Sequence, residues 1–184
     1  MDHGESSYRR YLDGDAGAFD EIMRLHFDRV VFFIDRILHD TQLSEDVAID
    51  VFACLAIKKG YDGRSSLRTY LLTLARSRAL NRLKAQRAHP TISYEDLSED
   101  ESDRAQLEQT VLKSERDRAL DRVIGTLPPE MQTVLRLVYF EELSYEQTAH
   151  VMKKSKKQID NLLYRAKNAL RPVLEKEGIT NEEF

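Results

Sequence analysis

The 184-residue chain contains a single cysteine, Cys54, which excludes an internal disulfide and a cysteine-rich metal site. Tryptophan is absent, glycine numbers 7 and proline 4, too few turn-formers for a sandwich of many short strands. No apolar run approaches a membrane-spanning length, and Met1-Asp2-His3-Gly4-Glu5 carries neither a basic leader nor an apolar segment. Membrane insertion is therefore not expected, and a reducing, cytoplasmic setting is. Glycine-rich phosphate loops and HExxH patterns are missing; His3, His26, His39, His89 and His150 are scattered. Glu45, Asp46 and Asp50 find no second carboxylate cluster with which to hold a metal. No catalysis, cofactor or metal is expected. An excess of positive charge is lacking too: the net charge is −4, whereas a duplex binder that depends on phosphate contacts is usually basic.

What is present is helical periodicity. Ala18 to Leu38 carries an apolar stripe that includes Phe19, Ile22, Val30 and Ile34, with Gly14 and Gly17 before it. Tyr11 and Leu12 suggest a short preceding helix. A second helix is predicted from an N-cap at Ser44, with Val47, Ala48, Val51, Phe52 and Leu55 inward and a frayed end at Lys59-Gly60. Glu45 and Asp46 would then sit in its first turn, where the helix dipole favours them. A loop, Tyr61-Asp62-Gly63-Arg64-Ser65, leads to a third helix capped by Ser65 or Ser66. Pro90 ends this group, which can close as a three-helix bundle. Tyr94 to Asp103 is acidic and reads as a flexible linker. A helix is predicted from about Gln106 through Leu127, and another from Pro129 with Met131, Val134, Leu135 and Val138 inward. Glu175 onward reads as a frayed tail. The fold expected is all-α, two small helical domains joined by an acidic linker.

The charge is segregated. No acidic residue occurs between Asp62 and Glu95, a stretch that holds Arg64, Arg68, Arg76, Arg78, Arg82, Lys84 and Arg87. Guanidinium groups pair with phosphates and stack on bases, and Tyr61 and Tyr70 offer stacking rings, an arrangement suited to unpaired DNA. Composition alone leaves a second reading equally open, in which Tyr70 is core and the arginines solvate the helix. Further on, Leu143 to Met152, a short link and Lys156 to Lys167 read as a helix-turn-helix, with Ser144 and Gln147 as a capping box. Ala149 is small where the helices approach; Val151, Met152, Ile159 and Leu162 or Leu163 would lock the pair. Lys153, Lys154, Lys156 and Lys157 surround the start of the recognition helix, Gln158 and Asn161 can reach base edges, and Arg165 and Lys167 extend the basic side. The bland alternative is a solvated lysine face, but these charges coincide with the recognition-helix start.

The motifs, in order and spacing, resemble the sigma-70 family of RNA polymerase sigma factors, in its extracytoplasmic-function (ECF) group. Gly14-Asp15-Ala16-Gly17-Ala18-Phe19 resembles GDxxAF, and Leu43 to Phe52 resembles AEDxxQxxF. Tyr61 to Leu71 resembles FxGxSSFxTWL, with Tyr70 in place of tryptophan; Leu74 to Lys84 resembles IARNxAIDxLR, with Asn81 in place of aspartate. Leu127 to Leu135 resembles LPxxxRxVLxL, Leu143 to Ala149 resembles LSYEEIA, and Tyr164 to Leu170 resembles the HRARxxL end. Lys156 to Leu162 departs from GTVKSR, with Asp160 and Leu162 where basic residues are common.

The resemblance implies a sigma-2-like domain over 8–90, a linker over 91–112, a sigma-4-like domain over 113–174 and a tail over 175–184. It implies that Glu45, Asp46, Asp50, Val51 and Phe52 bind core polymerase. Tyr61, Arg64, Ser65, Arg68, Tyr70, Arg76, Arg78, Asn81 and Arg82 would take the minus-ten element. Lys154, Ser155, Lys156, Lys157, Gln158, Asp160, Asn161, Tyr164, Arg165 and Lys167 would take the minus-thirty-five element. The acidic linker would occupy a basic nucleic-acid channel of the polymerase until RNA displaces it. The function expected is promoter recognition and strand opening in a complex with core RNA polymerase. An anti-sigma partner is compatible with the family. An autonomous helix-turn-helix regulator is the rival reading; it leaves Glu45 to Phe52 unexplained and needs a dimer surface that is not evident. A decoy that holds polymerase is a third. A monomer is expected when the chain is free.

Overall fold

The computed structural model describes residues 4–88, 101–112 and 114–176. Every regular element among them is an α-helix, and the chain divides into two compact units, Met1–Val111 and Leu112–Phe184.

In the first unit, α1 (Glu5–Leu12) precedes α2 (Gly17–Leu38), α3 (Thr41–Lys58), α4 (Leu67–Ala88) and α5 (Glu101–Val111). The central element is α2, which packs against each of the other four. Its stripe of Ile22, Val30, Phe33 and Ile34 is buried, as are Val47, Ala48, Val51, Phe52 and Leu55 of α3 and Leu67, Leu71, Leu72 and Ala75 of α4. These apolar faces make the expected bundle, and α1 and α5 add to it.

Two helix boundaries differ from the sequence reading. The N-cap of α3 is Asp40, whose carboxylate accepts from the Leu43 N–H at 2.9 Å. Ser44 is fully buried one turn inside the helix, its hydroxyl donating to the Asp40 carbonyl. Glu45 and Asp46 consequently lie beyond the first turn, and the helix dipole does not account for them. The helix expected from Gln106 through Leu127 is two helices, broken around Leu112. Its first half, α5, is held on α2 by ion pairs: Arg36 to Glu108 at 2.6 Å, and Arg104 to Asp35 at 3.3 Å. Asp35 is 1% exposed and also accepts from Thr41. Residues 101–111 of the expected linker are therefore helical, while Pro90, the acidic run over 91–100 and most of the expected tail lie outside the described residues.

The second unit begins with α6 (Glu115–Gly125), opened by a reciprocal capping box between Ser114 and Asp117. Then come α7 (Pro129–Tyr139), with proline in its first turn, α8 (Tyr145–Met152) and α9 (Lys156–Lys176). Leu120, Ile124, Val134, Leu135, Leu137, Val151, Met152, Ile159, Leu163 and Leu170 form its core. Inside it Arg136 Nε donates to Asp121 Oδ1 at 2.8 Å, with both side chains 6–7% exposed, and Arg136 Nη1 donates to Gln132. This buried pair ties α6 to α7.

Candidate nucleic-acid interface

The sequence of α8 and α9 dictates their geometry. Ser144 Oγ accepts from Gln147 N, and Gln147 Oε1 accepts from Ser144 N, so the expected capping box starts α8. Lys153 ends α8 in the left-handed region, at φ 53°. Ser155 and Gln158 form a second reciprocal box that starts α9. Ala149, Val151, Met152, Ile159, Leu162 and Leu163 are buried between the helices, as the spacing predicts.

At 100° per residue, the buried residues of α9 define one side, and Lys157, Asn161 and Tyr164 form the ridge opposite. All three are exposed, Tyr164 by 70%. Arg165 and Gln158 flank one edge of this ridge, and Lys156 and Asp160 the other. A shallow cleft of about 220 Å³ lies along the first edge, lined by Glu130, Lys154, Gln158, Asn161, Leu162 and Arg165.

The basic residues are not equivalent. Lys154 is paired with Glu130 at 2.9 Å, and Lys156 with Glu146. The hydrogen bond between the latter two holds the Glu146 carboxyl below the ordinary carboxylate value and raises the Lys156 ammonium. Lys167 is half-buried, its ammonium 5.6 Å from the Tyr139 ring centre, so it turns towards α7 rather than standing on the ridge. Gln158, expected to read a base, has its Oε1 engaged by the Ser155 N–H. Ser155 serves the same cap.

In the first unit, the loop between α3 and α4 carries an aromatic cluster. The Tyr61 ring lies 5.3 Å from that of Tyr8 and 5.4 Å from that of Tyr70, and the Tyr61 hydroxyl donates to the Ser65 carbonyl at 2.6 Å. Tyr61 and Tyr70 stay half-exposed; burial pushes the Tyr70 phenol up, with Cys54 and Asp62 adding to the rise. The two readings of Tyr70 thus merge: one side packs and the other meets solvent. Cys54 is half-buried, less enclosed than its apolar setting suggests. Arg64 is exposed beside Asp62 at 3.0 Å, and Ser65 and Arg68 are half-buried. Arg78, Asn81 and Arg82 fall on one side of α4 at helical spacing; Arg76, two residues earlier, projects from a different side.

On α3, Glu45, Asp46, Ile49 and Asp50 are exposed, Ile49 by 55%. Val51 and Phe52, expected to touch the polymerase, are buried at 0% and 2%. They hold this face from within and cannot form its surface. Asp50 lies 3.7 Å from Arg78 of α4, linking the acidic face to the basic one.

Two family models match: Sigma-70 region 2 over residues 22–89 and Sigma-70, region 4 over residues 117–170. The RNA polymerase sigma-H factor of Pseudomonas aeruginosa is 30% identical over 175 residues, 90% of this chain and 91% of the relative. The chain is a sigma-70 family sigma factor. Bacillus subtilis YlaC, another RNA polymerase sigma factor, is 26% identical, with 84% of this chain and 90% of the relative covered. The ECF sigma factor SigM of the same organism is 25% identical over 89% of this chain and 98% of the relative. Among solved structures, CnrH in complex with the cytosolic domain of CnrY has the same fold, with a TM-score of 0.65 at 16% identity over 95% of this chain and 99% of the other. So does RpoE of Bartonella quintana, solved with the anti-sigma factor NepR, at 0.60 and 17% over 85% and 96%.

This ECF sigma factor recognises promoters as a subunit of RNA polymerase and is not itself an enzyme. Among the described residues no helix is long and apolar enough to cross a membrane. Sequence reasoning on the sigma factor missed Glu130 and Glu146, the carboxylates that pair with Lys154 and Lys156, two of the candidate recognition lysines. Glu146 was reachable, since it stands in the first turn of α8; Glu130 meets Lys154 only through the packing of the second unit. It also missed Ile49, whose apolar side chain stands in the open among three carboxylates.

Proposed function

We propose that the sigma factor divides its work among three faces. The exposed Glu45, Asp46, Ile49 and Asp50 of α3 dock on a basic, partly apolar surface of core polymerase, with Val51 and Phe52 stiffening the helix beneath. The loop residues Tyr61, Arg64 and Ser65, together with Arg68, Tyr70, Arg78, Asn81 and Arg82 of α4, take the unpaired minus-ten strand. Arg76 lies on another side of α4 and is not part of this face. The ridge of Lys157, Asn161 and Tyr164, flanked by Arg165, Lys154, Lys156 and Asp160, takes the minus-thirty-five duplex. The first unit is thus the sigma-2-like domain and the second the sigma-4-like domain. The observation that carries this reading is the separation of charge by face: acid outward on α3, base outward on α4 and α9.

The factor acts in the bacterial cytoplasm, where its polymerase works. It is a monomer when free and is held by a protein regulator, as CnrH and RpoE are bound in their solved complexes.

One reconstitution with core polymerase tests the assignment. Asp50→Lys puts like charge against the docking surface and should abolish assembly at moderate salt. Arg82→Ala should assemble normally yet form less open complex by permanganate footprinting. Asn161→Ala should assemble and melt DNA while relaxing preference at one upstream base pair, worth about 1–3 kcal/mol for a bidentate contact. Normal assembly by Asp50→Lys would remove α3 from the polymerase interface.

A further inference from the structure

Helix α1 lies outside the matched region-2 segment, which begins at residue 22. Its side chains nevertheless reach both ends of the loop assigned to the minus-ten strand. At the α4 end, Glu5 Oε1 accepts from the Leu67 N–H at 2.9 Å, across 62 residues of sequence. Ser66 takes the Thr69 N–H with its hydroxyl and the Tyr70 N–H with its carbonyl. Glu5 therefore completes a cap that Ser66 begins, and its charge opposes the positive end of α4. At the α3 end, the Tyr11 hydroxyl donates to the Ala56 carbonyl at 3.4 Å, and the Lys59 ammonium sits 5.6 Å from the Tyr11 ring centre. Between these ends Tyr8, 2% exposed, sets its ring edge-on to Tyr61.

The close approach has its own requirement. Gly4 has φ +95°, and a Cβ there would stand 3.2 Å from Leu67 Cδ2 and 3.3 Å from His26 Nε2. The backbone angle favours glycine at the point where α1 meets the start of α4, and the tight space adds to that preference. On its far side α1 is fastened to α2 and the turn before it: Arg10 pairs with Asp15 of the turn at 2.7 Å and Glu21 of α2 at 3.0 Å, and Ser7 donates to Glu21. These bonds keep the Asp15 and Glu21 carboxyls below their ordinary values.

We propose that α1 is a positioning element for strand capture: Glu5, by capping α4, and Tyr8, by bracing Tyr61, hold the loop in the shape that takes the unpaired minus-ten strand. This rests on the assignment of Tyr61 and its neighbours to that strand. Tyr61 is already held edge-on by Tyr8 and at a tilt by Tyr70, so a base meets a ring whose orientation is set beforehand. Glu5 touches no DNA in this scheme and acts only through the loop.

The test uses holoenzyme reconstituted from core polymerase and the full chain. Three readouts are taken: assembly, binding of a single-stranded non-template oligonucleotide spanning the minus-ten element, and binding of a duplex carrying only the upstream element. Glu5→Ala should weaken the single-stranded oligonucleotide roughly five-fold, the effect of an ordinary lost helix cap, and leave the other two unchanged. Glu5→Gln keeps an acceptor oxygen for the Leu67 N–H and should recover most of the loss. Tyr61→Ala is the reference for the site itself. Weakening by Tyr61→Ala with none by Glu5→Ala overturns the positioning role alone. No weakening by either overturns the strand site and the positioning role together. Parallel losses in all three readouts for Glu5→Ala would make α1 a general stabiliser and overturn the proposal.

Discussion

Replacing Glu146 with Gln should make duplex binding by the holoenzyme more sensitive to salt. Glu146 sits in the first turn of α8 and accepts from Lys156, the first residue of α9. Lys156 also lowers the Glu146 carboxyl from its ordinary 4.5. A depressed carboxyl keeps its pairing at every pH above that ordinary value and loses it only as pH falls through the lowered one. The raised Lys156 ammonium stays charged on the alkaline side. The pair is therefore intact throughout the neutral range, and mutation rather than pH is the way to open it. In the native protein a phosphate must displace a carboxylate to reach Lys156. In the Gln variant the ammonium keeps only a neutral acceptor in place of the Glu146 carboxylate, so a phosphate displaces that contact more readily, and each phosphate neutralised adds about 0.9 to the slope of log affinity against log salt. Between about 50 and 200 mM salt, a four-fold change, that extra contact amounts to about 3.5-fold in affinity. The assay is anisotropy of a labelled upstream duplex titrated with holoenzyme over a salt series. An unchanged slope would refute the reasoning, because Lys156 would then either not meet a phosphate or not be contested by Glu146. Lys157→Ala serves as the internal control: it should flatten the slope by about one unit.

Two further outcomes concern the second unit's stability, read by calorimetry on the full chain. Asp121→Ala strips a buried guanidinium of its carboxylate and should cost about 3–5 kcal/mol, lowering the melting temperature of the unit by more than about 10 °C; the double change Asp121→Leu with Arg136→Met should recover much of it. A melting temperature near that of the native protein would show that Arg136 finds equal compensation elsewhere. Lys153→Gly relieves a left-handed backbone in the helix-turn-helix link and should stabilise the unit by a few tenths to about 1 kcal/mol; a lowered melting temperature would mean that the lysine stem contributes more than its backbone strain costs.

The helix-turn-helix was legible because several local signals agreed. The Ser144 and Gln147 box, the small Ala149 and the apolar residues after the link each act within one or two turns, and each lies where the spacing predicts. The start of α3 was harder because Asp40 and Ser44 are both good capping residues one turn apart. The register decides between them: Ser44 shares a face with Ala48, Val51 and Leu55, so it belongs inside the helix. The break between α5 and α6 was hidden by apolar spacing that runs on through it, although Ser114 and Asp117 have the spacing of a capping box. Other features have no local signature. Asp35 draws one of its partners, Arg104, from 69 residues away, and Glu5 caps a helix 62 residues further on. A charged residue whose partner is that distant reads as surface until the fold brings the two together.

The sites show the same division. Residue type and spacing pointed to the basic ridge on α9 and the acidic face on α3, since outward positions on a helix follow from its inward ones. They could not show that Val51 and Phe52 are sealed beneath that face, or that carboxylates engage Lys154 and Lys156. That pairing bears on how an acidic chain can be a DNA-binding subunit. Net charge sums over faces that never meet the same partner; what a phosphate meets on α9 is local. There, Lys157 stands on the outermost ridge while Glu130 and Glu146 partly neutralise the lysines at its edges. Such a face attracts any duplex less strongly than its count of basic residues implies, and so it leaves more of the binding to base contacts and to docking on polymerase. The acidic residues on α3 work in the same sense, repelling nucleic acid from the surface proposed to dock on the polymerase. On the proposed assignment of faces, carboxylates in both units reduce indiscriminate attachment to DNA without removing the groups that position it.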